Sequence, residues 1–390
     1  MPVVNRVVDF RPDIQTWRRD IHQHPELLYD VHRTAAFVAE CLRDFRCDEV
    51  VTGIGQTGVV GVIKGKRPAS ADIKVIGLRA DMDALPIQEQ TSLPYASKIP
   101  GKMHACGHDG HTAMLLGAAR YLAETRNFAG DAIVIFQPAE EGGAGGAAMV
   151  KDGLMERFAI DQVYGMHNAP GIPIGAFAIR QGPIMAATDA VDIRIEGLGG
   201  HAARPHNCVD PVLVGAQVIT ALQSIVARSV DPLDAAVISI CEFHAGNTRN
   251  VIPQTAELKG TIRLLTAEAR KLVEKRVREI VAGVAQISGA KIDLRYNNSY
   301  PVTNNHAAPT EVARRIAKQV VGDAKVYEMP PQMAGEDFAY MLEARPGALI
   351  FCGNGDSAGL HHPAYDFNDE AIVYGTSYWV KLVEEALAAS

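Results

Sequence analysis

AIVIFQPAEEGGAGGAA (132–148) passes in one short stretch from an apolar run through a proline to two adjacent glutamates and then to glycines. The run AIVIFQ (132–137) has the length and β-branched content of a buried strand. The glycines that follow Glu141 form a tight turn into a helical segment, AAMVKDGLM (147–155). A strand that ends in acids and turns into a helix is a unit of an α/β sheet, where sites form outside the carboxyl ends of the strands.

Similar runs lie on either side: GVVGVI (58–63), IKVIGL (73–78), QVYGMH (162–167) and ALIFCG (348–353). Helical stretches such as WRRDIHQHPEL (17–27), TAAFVAECLRDF (34–45) and HTAMLLGAARYLAETR (111–126) separate several of them. The pattern predicts a mostly buried sheet covered by helices.

From about residue 187 the pattern changes. DAVDIRIEG (189–197) alternates like a half-exposed strand, and DPVLVGAQVITALQSIVARSV (210–230) is helical with a proline suited to its first turn. AAVISICEF (235–243) and AELKGTIRLL (256–265) read as strands, TAEARKLVEKRVREIVAGVAQI (266–287) as an amphipathic helix and KIDLRYNN (291–298) as a strand. The order β-α-β-β-α-β is ferredoxin-like. The expected division is therefore an α/β domain over 1–185 and 301–390, interrupted by a small α+β domain over 186–300. A chain of 390 residues is long for one core and suits this two-domain reading.

Strand ends deliver the polar residues. IKVIGL leads to Asp81 and Asp83, AIVIFQ to Glu140 and Glu141, QVYGM to His167, and ALIFCG through a glycine-rich turn to His361 and His362. Cys106 and His108 precede the helix that starts near His111. Residues two apart in an extended segment project to one side. Thiolate, imidazole and carboxylate together suit Zn, Mn, Ni or Co better than Ca or Mg. Two such ions would lower the pKa of a water and polarise a carbonyl, and a carboxylate off the metal would move the proton. Spacing does not say which of Glu140 and Glu141 does which.

Composition narrows the partners. The net charge is −7 and no basic tract reaches five residues, which argues against nucleic acid. No apolar run approaches the roughly 20 residues of a membrane span, and the start MPVVNRVVDFRPD has no secretory pattern. The six widely spread cysteines read as reduced thiols, and the expected compartment is the cytoplasm. Two motifs point elsewhere. GIGQTG (53–58) fits a dinucleotide loop, but VVGVIKGKRP follows it rather than a helix. GDSAG (355–359) fits a nucleophile elbow, but LHHPAYDF follows, and no histidine comes after His362.

In order, RADMDALPI (79–87), HACGHDGHTA (104–113), QPAEEGGAG (137–145), GMHN (165–168), GGHAARPH (199–206), NVIPQTAELKGTIR (250–263), AGEDF (334–338) and LHHPAYDFND (360–369) cover nearly the whole chain. They resemble the aminoacylase, hippurate hydrolase and auxin-conjugate hydrolase branch of the di-metal amidohydrolase and carboxypeptidase superfamily. The resemblance implies a zinc-peptidase-like catalytic domain and an inserted dimerisation or lid domain. Two divalent transition-metal ions would share Cys106, with His108, Glu141, His167 and His361 as the other ligands and His362 as a rival to His361. It implies Glu140 as the general base and Asp83 as an acid behind the site that orients His108. Asp81 stands where carboxypeptidase-type relatives place a metal-binding histidine, and it receives no ligand role.

The resemblance also implies a homodimer or dimer-based tetramer, in which His201 reaches across to stabilise an oxyanion while Asn250 and Arg263 hold the substrate carboxylate. His111 reads as structural, and His22 and His24 match an N-terminal pattern without a clear role. The expected substrate is a small N-acyl amino acid, cleaved to a carboxylic acid and a free amino acid. A dipeptidase or carboxypeptidase is the nearest alternative, and a non-catalytic metal-binding protein is the alternative of another class.

Overall fold

A computed structural model describes residues 3–67 and 74–388, which divide between two compact units. One unit takes residues 1–184, 304–330 and 337–390, the other 185–303 and 331–336.

The first unit is built on an eight-stranded mixed sheet. Its strands run in the order Glu49–Ile54, Gly58–Lys64, Asp131–Gln137, Val75–Asp81, Gln162–Pro170, Gly347–Gly355, Phe177–Ile179 and Val326–Glu328. The middle four, from Asp131–Gln137 to Gly347–Gly355, are mutually parallel. Their residues are buried almost without a break, because helices cover both faces of a parallel sheet. Parallel strands share one carboxyl edge, and the chain leaves it at Asp81, Gln137, Pro170 and Gly355.

Periodicity placed these strands well but missed two features. Glu49–Ile54 is a strand, paired antiparallel with Gly58–Lys64. The glycine motif at 53–58 is therefore a hairpin turn, with Gly53, Gly55 and Gln56 at positive φ (86°, 61° and 78°). The strand expected at 73–78 runs instead over Val75–Asp81, and Ile73 lies outside the described residues. The helix His108–Thr125 fills the core beneath the sheet, and its neighbours there include Ile14, Trp379 and Val383.

The second unit has a four-stranded antiparallel sheet in the order Ala236–Ala245, Thr255–Leu264, Ala187–Glu196, Lys291–Asn298. The alternation of Ala187–Glu196 turns Val191, Ile193 and Ile195 toward the helices Pro211–Arg228 and Ala267–Ser288. Asp210 caps the first helix by accepting from the Val212 and Leu213 N–H groups, ahead of Pro211. Thr266 caps the second, and Gly289 ends it at φ 73°.

By length and composition Pro211–Arg228 could cross a membrane, with a mean hydropathy of 1.3. Here Val214, Val218, Leu222 and Ile225 face the core of this unit. Segment 331–336 joins the second unit through Ala334 O, which accepts from the Ala186 N–H at 2.9 Å.

Candidate metal centre

The carboxyl edge of the parallel strands gathers Cys106, His108, Glu141, His167 and His361. Two groups of donor atoms, Cys106–His108–His167 and Cys106–Glu141–His361, each lie within 4.8 Å of one another and have the thiol in common.

Cys106 and His108 are placed by Gly107, whose φ is 85°. A Cβ there would stand 2.3 Å from Asn168 Nδ2 and 2.5 Å from Tyr365 Oη, so only glycine lets the turn close. The Asn168 side chain donates to Cys106 O at 2.6 Å and accepts from Tyr365 Oη at 2.7 Å. His167 lies within the strand Gln162–Pro170, not at its end, and its Nε2 is 3.4 Å from Cys106 Sγ.

Both buried imidazoles are fixed by peptide carbonyls. His108 Nδ1 donates to Asp83 O at 2.8 Å and His167 Nδ1 to Asn168 O at 2.7 Å. A carbonyl can only accept, so Nδ1 carries a proton on each ring and Nε2 is the nitrogen turned to the centre. His108 Nε2 and Glu141 Oε1 are buried without a hydrogen-bond partner. A buried ring nitrogen and a carboxylate oxygen left without hydrogen bonds beside a thiol and a second imidazole fit a bound cation.

The electrostatics agree. Burial pushes the Cys106 thiol well above its usual range, and Glu141, Glu140 and Asp81 add to the rise. His167 is held well below the usual histidine range by burial, with His111 and His108 assisting. Burial opposes the charge on His108 too, but Asp81, Asp83 and Glu141 outweigh it and push the ring up to about 10. The acids crowd around His108 and the thiol, and a metal ion would take the place of the Nε2 proton in offsetting them.

His361 adopts φ 64°, its N–H donates to Ala105 O at 2.7 Å, and its Nε2 lies 3.3 Å from Glu141 Oε1. His362 turns elsewhere, with its Nδ1 accepting from the Ala364 N–H at 3.1 Å. The Asp83 carboxylate is 3.5 Å from His108 Nδ1, farther than its own carbonyl. Its closer partners are the Glu140 and Glu141 N–H groups, at 2.9 and 3.0 Å. His111 has both nitrogens engaged, Nδ1 with Asp81 Oδ1 at 2.6 Å and Nε2 as acceptor of the Asn168 N–H at 2.8 Å. Arg79 pairs with Asp81 at 2.7 Å and with Asp337 at 3.0 Å. Asn168 lies within GMHN, Arg79 and Asp81 within RADMD and Asp337 within AGEDF. Nothing in those stretches says that they join one buried network.

His22 Nδ1 meets Asp109 at 2.8 Å beside the buried Arg18, behind the centre. His24 Nδ1 donates to Asp20 O at 2.8 Å. The Ser357 hydroxyl donates to Ala358 O, and the next helical residues begin at Asp369, so this serine has no elbow.

His201, Asn250 and Arg263 belong to the second unit. His201 is exposed in a two-residue strand against Val251–Ile252, with Nδ1 accepting from the Ala203 N–H at 3.1 Å. Asn250 is exposed and accepts from Thr248 Oγ1 at 2.9 Å. Arg263 is half-buried and donates to Thr261 Oγ1 and Ile262 O.

The sequence model described as peptidase family M20/M25/M40 matches residues 77–385. The chain is 43% identical to the hippurate hydrolase of Campylobacter jejuni, with 98% of each chain covered. It is 42% identical to the N-acetyl-L-cysteine deacetylase of Bacillus subtilis, covering 91% of this chain and 84% of that one. A solved B. subtilis structure, described as a dinuclear metal binding peptidase from the M20 family, is 34% identical. It superposes with a TM-score of 0.85 over 97% of this chain and 99% of that one.

Proposed function

The chain belongs to peptidase family M20/M25/M40, and on that premise we propose that it is a metal-dependent amidohydrolase of N-acyl amino acids. It splits the acyl amide bond to give a carboxylic acid and a free amino acid. The relatives named as hippurate hydrolase and N-acetylcysteine deacetylase support this substrate class. The observation that carries the reading is the pair of donor triads sharing Cys106, with the carboxylate of Glu140 beside them.

Two divalent ions would sit in these triads, with Cys106 as the shared ligand, His108 and His167 on one side, and Glu141 and His361 on the other. When bound they supply Lewis acidity and a water made nucleophilic near neutral pH. The donor set suits Zn, Mn, Ni or Co. Glu140, adjacent to Glu141 but not one of the ligands, takes the proton of the attacking water and delivers it to the departing nitrogen. Asp83 keeps both glutamates in place by accepting from their N–H groups.

His201 would stabilise the oxyanion from a second subunit, while Asn250 and Arg263 bind the substrate carboxylate. The edge strand Ala236–Ala245, paired on one side only among the described residues and with Phe243 38% exposed, supports a dimer through the second unit. Six free cysteines support a reducing compartment, the cytoplasm.

The test is a panel of acetyl, benzoyl, long-chain acyl and indoleacetyl amino acids with dipeptides, run with Mn, Co, Ni and Zn. Equimolar release of acid and amino acid from at least one acyl substrate is expected. Cleavage of dipeptides alone would move the assignment to a dipeptidase. Mixing inactive His201→Ala and Glu140→Gln subunits should restore part of the activity. Mixed dimers that stay inactive would remove the cross-subunit role.

A further inference from the structure

The AGEDF segment (334–338) carries an aspartate that the chemistry above does not use, Asp337, and it is fully buried. Its carboxylate accepts from Gln137 Nε2 at 2.7 and 2.9 Å, from Arg79 Nη2 at 3.0 Å and from the Gly146 N–H at 2.8 Å. Gln137 ends the strand Asp131–Gln137, and Gly146 lies in the first turn of the helix Gly145–Lys151. One side chain thus holds both ends of the segment that contains Glu140 and Glu141. The Asp337 N–H also donates to Glu140 Oε1, at 3.4 Å.

This segment needs external holding. Ala139 and Ala144, on either side of the two glutamates, sit at φ 54° and 55°. Such left-handed conformations are unfavourable for residues with a Cβ and persist only where the surroundings impose them. The fit around the carboxylate is close, since a Cβ on Gly146 would stand 3.3 Å from Asp337 Cγ and 3.2 Å from Gln137 Oε1. Asp83 fixes the middle of the segment through the N–H groups of Glu140 and Glu141. Tyr29 Oη adds a bond to Gly143 O at 2.7 Å. Asp337 alone among these joins the two ends.

We propose that Asp337 is a positioning residue. By pinning segment 138–145 at both ends, and by meeting Glu140 with its own N–H, it sets where the proton-accepting carboxylate stands. The proposal rests on the reading of Glu140 as the base. Asparagine at 337 keeps the size but offers one acceptor oxygen where the carboxylate offers two, so it cannot hold all three partners. Misplacing a reacting group by about 1 Å costs on the order of 100-fold in rate.

The experiment compares wild-type protein with Asp337→Asn by hydrogen–deuterium exchange on the metal-free protein, then by steady-state kinetics and elemental analysis on the metal-loaded protein. Faster exchange confined to peptides covering 138–146 is expected, together with a kcat lowered about 30–100-fold. KM and metal content should stay near wild type. Should Asp337→Asn fail to fold, Gln137→Met frees one end and leaves Asp337 paired with Arg79. It should show the same pattern with about a 5-fold loss of kcat. Unchanged exchange in 138–146, or a loss of kcat fully accounted for by lost metal, overturns the proposal. Glu140→Gln is assayed alongside. Near-normal turnover in that variant would remove the base reading, while the exchange data would still judge the clamp.

Discussion

The two donor triads share one thiol and differ in almost everything else. In Cys106–His108–His167 all three residues are buried, and each imidazole is oriented by a peptide carbonyl at 2.8 or 2.7 Å. In Cys106–Glu141–His361 the histidine side chain is 54% exposed, lies in a loop at φ 64°, and has no hydrogen-bond partner on Nδ1 among the described residues. A ring fixed before the ion arrives loses little freedom on binding, whereas an exposed one must be ordered and competes with water. The contrast teaches that one fold edge can offer a rigid ion site and a labile one a single thiol apart.

The largest effect should come from a change that touches neither triad. Glu140→Gln is expected to keep both metals by elemental analysis and lose about 10²–10⁴-fold in turnover, the range for general acid–base groups. Loss of metal in that variant would mean that Glu140 belongs to an arm. Next, the arms can be set against each other. His108→Ala should weaken binding of its ion by more than the roughly 10–100-fold cost of an outer partner, and His361→Ala by about 10-fold. Chelator titration of the wild type should then release one ion well before the other. Simultaneous release, or equal losses in the two variants, breaks the comparison.

Smaller again, Asp83→Asn should lower turnover about 10–100-fold through the Glu140–Glu141 turn, measured as kcat with metal content as the control. Wild-type kcat would mean that the turn holds without it.

The smallest effect tests the ion network behind the rigid arm. Burial opposes a charge on His22, but Asp109, helped by Glu89, raises it to about 9. A raised pKa gives stability that is complete below the unfolded value of 6.5 and is lost as pH rises through 9. Calorimetry should therefore show Tm falling by about a few degrees between pH 6.5 and 9.5, and His22→Gln should flatten that fall. An identical slope in the variant would place the titration elsewhere.

Much of this was readable from residue order. Apolar runs at 58–63, 132–137 and 348–353 became strands within a residue or two at either end, because buried parallel strands leave a continuous signal. The strand Glu49–Ile54 escaped notice because its residues are mostly exposed or half-buried and its sequence, EVVTGI, runs into a glycine turn. The hydrogen-bond roles around the site were harder to read. Asp83 was expected to orient His108 with its carboxylate, yet its carbonyl lies nearer that ring and its carboxylate nearer the glutamate turn. Side-chain and main-chain oxygens of one residue cannot be told apart by spacing.

The sequence alone determined the fold class and which residues could be donors, since strand-end placement and residue chemistry are local properties. It also carried the β-α-β-β-α-β order of the second unit, through periodicity and a proline suited to the first turn of the helix Pro211–Arg228. Only the tertiary structure decided that the donors form two groups sharing one sulfur, and that of two adjacent histidines His361 faces Glu141. It alone brought Asp337 to the Glu140 segment from 197 residues away. Those outcomes depend on which strands neighbour one another and on where buried carboxylates find enough donors, and both are properties of packing that no local window contains.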